Sequence, residues 1–125
     1  MLFRSFVATH PGLARSLVGV IDLDMMRRTA SGLGAAVQGS DRTMIDAVEG
    51  AIGEGASLKV VPWTTGSDHT TFSQLGVSSC MLSGHGREAP WYHAATDTAA
   101  DLPAEDLGSA ARDVLRLAWQ LMGSS

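Results

Sequence analysis

Three groups of residues in this 125-residue sequence have types and spacing suited to chemistry. The first is Asp22-Leu23-Asp24, which closes a short apolar, β-branched run from Leu17 to Leu23. Alternate side chains of an extended strand leave the same face, so both carboxylates would point one way. On local pattern alone, the pair also fits a solvated strand end or a helix cap. The second group is Ser67-Asp68-His69, ahead of a short helical stretch. It reads either as a helix N-cap with an exposed histidine beside it, or as a carboxylate that orients a metal ligand. The third is Tyr92-His93, with Asp97 four residues on, in a long loop marked by Gly84, Gly86 and Pro90. Long loops that follow strands carry function more often than short ones. His10 and His85 lack a partner pattern and read as surface or loop residues.

Two carboxylates and a histidine at strand-end loops suit a metal ion better than a nucleophile. Neutral imidazole and carboxylate oxygens are the usual ligands of catalytic zinc. The G-x-S-x-G turn of serine hydrolases is missing, as are the P-loop, the dinucleotide fingerprint and H-E-x-x-H. Cys80 is the only cysteine, so an intrachain disulfide is excluded. It lies in an apolar run and reads as a small buried residue, since an activated thiolate needs basic neighbours.

These groups need elements to hold them. Leu17 to Leu23 reads as a buried, central strand. Gly32 to Val37 reads as a small-residue strand. Ser40 or Asp41 caps a helix whose face is Met44, Ile45, Val48 and Ile52, stopped by Gly53 and Gly55. Leu58 to Val61 is a strand closed by Pro62, and Val77 to Leu82 is another. Residues 2–9 have helical spacing broken by Pro11-Gly12. From Pro103 to Met122, the residues Leu107, Ala111, Val114, Leu115, Ala118 and Leu121 predict a long amphipathic helix. Strands alternating with helices argue for an α/β fold with a largely parallel sheet, which carries its site at strand ends.

Composition fits this class. The chain is 45% hydrophobic and 18% charged, in the range of globular domains. Nine basic residues against thirteen acidic ones give a net charge of −4, without the basic footprint of a nucleic-acid binder. No apolar run reaches the roughly 20 residues of a membrane span. The first ten residues lack the long apolar region and cleavage site of a signal peptide.

Val20-Ile-Asp-Leu-Asp-Met25, Gly66-Ser-Asp-His-Thr-Thr-Phe72, Gly76-Val77 and Tyr92-His-Ala-Ala-Thr-Asp-Thr98 occur in that order. Their order and spacing resemble the C-terminal part of metallopeptidase family 28, which includes bacterial leucyl aminopeptidases, glutamate carboxypeptidase relatives and glutaminyl cyclases. The resemblance runs through essentially the whole chain, as the C-terminal portion of a single domain over residues 1–125. It implies a three-layer α/β/α sandwich with a mixed, largely parallel sheet, of zinc exopeptidase type and N-terminally truncated. The family's peptidases hold two zinc ions through a His, a bridging Asp, a Glu, a second Asp and a final His, with another Glu as general base. By similarity, Asp24 is the second Asp and His93 the final His. Tyr92 matches a tyrosine that, in some members, helps to stabilise the tetrahedral intermediate. Asp22 stands where many members have Asn and is not assigned as a ligand. Asp68 and Asp97 match recurrent carboxylates that order loops or support ligands.

The resemblance therefore implies metal-assisted hydrolysis of a peptide bond, removing N-terminal residues from a peptide or protein substrate. In the family, the first His, the bridging Asp and the Glu pair precede the segment matched here. An isolated chain with two of five zinc ligands is expected to be inactive and to expose a sheet edge and apolar faces. A missing N-terminal segment or a partner chain would complete it. The alternatives are a non-catalytic binding or complementing module, and a glutaminyl-cyclase-like acyl transferase. Those cyclases tend to have Trp directly before the final His, where this chain has Tyr92. The family is often secreted or membrane-anchored, and the sequence leaves the compartment open.

Overall fold

A computed structural model describes residues 2–24, 32–84 and 104–123. His85, Tyr92, His93 and Asp97 lie outside them. The elements are α1 (Leu2–Thr9), α2 (Pro11–Arg15), β1 (Val20–Leu23), β2 (Leu33–Val37), α3 (Arg42–Gly53), β3 (Leu58–Val61), α4 (His69–Ser73), β4 (Ser79–Ser83) and α5 (Ala104–Gly123).

The four strands form one mixed sheet in the order β1-β4-β2-β3. β1 runs parallel to β4, and β2 parallel to β3, while β2 and β4 are antiparallel. Helices cover both faces, which makes the expected three-layer sandwich. On one face α3 and α5 pack over Leu33, Ala35, Val37, Cys80 and Leu82. On the other, α1, α2 and α4 gather around Ala14, Phe72 and Val77. Small residues at Ala35 and Ala36 let β2 sit flush beneath the helices. At Gly32, φ is +86° and a Cβ would come within 2.1 Å of the Ser57 carbonyl oxygen, so the entry to β2 needs glycine.

Asp41 joins helix to sheet. Its carboxylate accepts the Met44 N–H at 3.0 Å as the α3 N-cap. It also accepts from the Ser78 hydroxyl at 2.9 Å and the Ser79 N–H at 3.1 Å, at the entry to β4.

Several expectations are corrected. β1 begins at Val20 and lies at an edge of the four-stranded sheet, half-buried, where the apolar run predicts a central strand. Among the described residues its only ladder partner is β4, and Leu13, Leu17, Val18 and Leu23 stand exposed nearby in the chain. The break expected at Pro11-Gly12 is present, since α1 ends at Thr9; Pro11 then starts a short second helix, because its fixed φ and missing N–H suit a first turn.

The buried face of α5 is turned from the predicted one. Ala110, Asp113, Leu117 and Leu121 face inward, while Leu107 and Leu115 point to solvent. The helix carries apolar residues on two sides, and periodicity alone does not choose between them. On α3, Ala47 and Ala51 join Met44 and Val48 inside, and Ile52 is exposed. The short alanines let α3 lie close to α5.

Candidate functional site

The β1 ladder continues one residue past the strand, because the Asp24 N–H donates to the Leu82 carbonyl at 3.1 Å. The backbone is therefore in register through Asp24, and the side chains of Asp22 and Asp24 leave the same face. Their environments differ. Asp24 is exposed, and no hydrogen bond joins its carboxylate to another described residue. Asp22 is drawn under α4. Its Oδ2 accepts from the Ser67 hydroxyl at 2.7 Å, the His69 backbone N–H at 3.3 Å and the His69 ring at 3.1 Å.

His69 overturns the reading of an exposed histidine beside a cap. It is fully buried. Its Nδ1 faces Asp22 and its Nε2 lies 3.0 Å from the Thr64 carbonyl oxygen. The edge of the Trp63 ring closes over it, with centroids 4.6 Å apart. Each ring nitrogen thus meets an oxygen atom within hydrogen-bond distance. Pro62 ends β3, and Gly66 turns the chain at φ +86°, returning Ser67 and His69 to the sheet.

Asp68 occupies the N-cap position of α4 without accepting a cap hydrogen bond, so that half of the capping reading fails as well. It is exposed and lines a cavity of about 300 Å³ with Arg4, Ser67, Thr70 and Gln74. His10 lies on the surface, stacked on Phe6. Cys80 is fully buried on β4, and burial, with the nearby charges of Asp41 and Asp22, pushes its thiol up to about 12. It is a core residue, as its apolar setting predicts.

The structure thus brings Asp22, Ser67 and His69 together, with Asp24 beside them on the strand. Among the described residues, no three His, Cys, Asp or Glu side chains converge to hold a metal ion. His69 is the residue that sequence reasoning missed. It meets Asp22 across 47 positions, and no local spacing signals that contact.

The profile of peptidase family M28 matches residues 4–118, and the chain belongs to that family. Three solved structures share the fold. An aminopeptidase from Aneurinibacillus sp. strain AM-1 aligns with a TM-score of 0.74 and 23% identity, over 94% of this chain and 29% of its own. BSAP, a zinc aminopeptidase from Bacillus subtilis, aligns with a TM-score of 0.69 and 23% identity, over 87% of this chain and 31% of its own. The LapA aminopeptidase of Legionella pneumophila aligns with a TM-score of 0.73 and 15% identity, over 95% of this chain and 34% of its own. The chain thus spans about a third of the length of these structures. Compared by sequence with curated proteins, it finds no match.

Proposed function

We propose that this chain is the C-terminal portion of a zinc aminopeptidase domain, acting on peptides with a free N-terminus, and that it carries part of a two-zinc site. The observation that supports this most directly is Asp24. In a chain of family M28, it is an exposed carboxylate free of hydrogen bonds to other described residues, at the carboxyl end of a parallel strand. Hard oxygen donors in such a position suit a divalent metal. Asp22 does not fit that role, since its Oδ2 already takes three protein donors.

In this reading, Asp24 and His93 are metal ligands, Tyr92 donates to the developing oxyanion, and Asp68 and Asp97 order the loops around them. Bound zinc supplies an activated water and polarises the scissile carbonyl. The chain's own part is to fix Asp24 on a rigid strand, because a ligand displaced by an ångström is costly in rate. The remaining ligands and the general base come from polypeptide outside this segment. The edge of β1 that is unpaired among the described residues, with Leu13, Leu17, Val18 and Leu23 exposed nearby, is where that polypeptide would pack.

The test is leucyl-p-nitroanilide hydrolysis by the 125-residue chain and by the native protein isolated from its source. No turnover is expected from the chain alone. The native species is expected to be heavier, to lose activity to a chelator, and to lose at least about 100-fold in kcat with Tyr92→Phe. Chelator-resistant activity, or full activity with Asp24→Asn, would overturn the reading.

A further inference from the structure

The pairing of His69 with Asp22 has no part in the function proposed above, yet it joins a completely buried ring to a nearly buried carboxylate. Burying an imidazole beside a carboxylate is costly unless the polar atoms are paired, and an apolar residue of similar size could fill the space without that cost. Here the pairing is thorough. The ring bonds at both nitrogens, at 3.1 Å to Asp22 and 3.0 Å to Thr64, and Trp63 shields it. All three donors to Asp22 converge on one oxygen, Oδ2, and all come from the Ser67-to-His69 turn.

Two carboxylates two residues apart on one strand face would otherwise offer a cation two rival ligands. We propose that His69 is a positioning residue of the metal site. It anchors the Asp22 carboxylate, leaving Asp24 as the carboxylate that this strand end presents to a divalent cation. The inference rests on Asp24 being a metal ligand.

Two measurements on the full chain test it. The first uses no metal. An Nδ1–H proton of the His69 ring, protected from solvent exchange and shifted in Asp22→Asn, is expected in nitrogen-15 spectra. Its absence overturns the anchoring whatever Asp24 does. The second adds Mn²⁺ and follows paramagnetic broadening around β1. Asp24→Asn is expected to abolish the broadening. His69→Phe removes the ring from Asp22, leaving it held only by the Ser67 hydroxyl and a backbone N–H, and should tighten Mn²⁺ binding by up to roughly tenfold, since affinity at oxygen sites rises with ligand charge. Adding Asp22→Asn to that variant should reverse the gain. A residue that served packing alone would give no gain. If His69→Phe fails to fold, His69→Leu, which likewise cannot donate to Asp22, carries the same expectation. Unchanged affinity in the folded variant overturns the proposal. Broadening that survives Asp24→Asn overturns the metal reading and the proposal with it, even where the ring proton is present.

Discussion

Among the described residues, the hydrophobic cluster under α3 and α5 holds fourteen buried residues, and the one under α1, α2 and α4 holds three. The first is closed by helices of 12 and 20 residues, the second by helices of eight, five and five. Buried apolar area sets most of the stability of a small domain, so the thick face holds the fold together. The thin face carries the Asp22, Ser67 and His69 cluster. A polar cluster of this kind adds little net stability but fixes geometry at the carboxyl end of β1. Stability and candidate chemistry are thus divided between the two sides of one sheet, and β4, in contact with both, links them.

The division predicts unequal mutational costs. Leu82 and Leu117, both fully buried, anchor the thick face. Replacing either with Ala should cost about 2–5 kcal/mol in urea unfolding. Val77→Ala in the thin cluster should cost about 1 kcal/mol. Equal costs would mean that the thin face is as structural as the thick one, and the division would fall.

Asp41 tests the junction between helix and sheet. Asp41→Ala removes the α3 cap and leaves the buried Ser79 N–H without its acceptor. The expected loss is about 2 kcal/mol, from the cap and the unpaired donor together. Asp41→Asn keeps an acceptor oxygen and should recover part of it. A loss below about 0.5 kcal/mol would show that α3 is held by its apolar face alone.

What the sequence shows well is whatever repeats locally. Four strands and the two long helices follow from apolar patterning, and a cap at Ser40 or Asp41 follows from their place before a helical run, with the structure choosing Asp41. The inward face of α5 does not, because Leu107, Leu115 and Trp119 make a second apolar side that only tertiary packing distinguishes. The edge position of β1 is also hidden, since a β-branched run signals burial but not the number of neighbouring strands. At the site, the strand-end pair Asp22 and Asp24 is legible from its spacing, but spacing does not tell their surroundings apart. His69 is not legible, because beside Asp68 it has the form of an ordinary cap, and its meaning comes from Asp22 and Thr64.

The smallest effect is expected at Arg42. Its guanidinium lies 2.8 Å from Asp46 one turn along α3, with side chains 69% and 61% exposed. Exposed pairs at this spacing contribute roughly 0.3–0.5 kcal/mol and are screened by salt. Arg42 also begins α3, where a positive charge opposes the helix dipole by a comparable amount. The two terms nearly cancel, so Arg42→Ala should change unfolding stability by less than about 0.5 kcal/mol, with little response to added salt. Asp46→Ala removes the pair but leaves the unfavourable dipole contact, so it should destabilise slightly more than Arg42→Ala. The reverse order would show that the surface pair outweighs the dipole, and that α3 draws support from its solvent side as well as from the sheet.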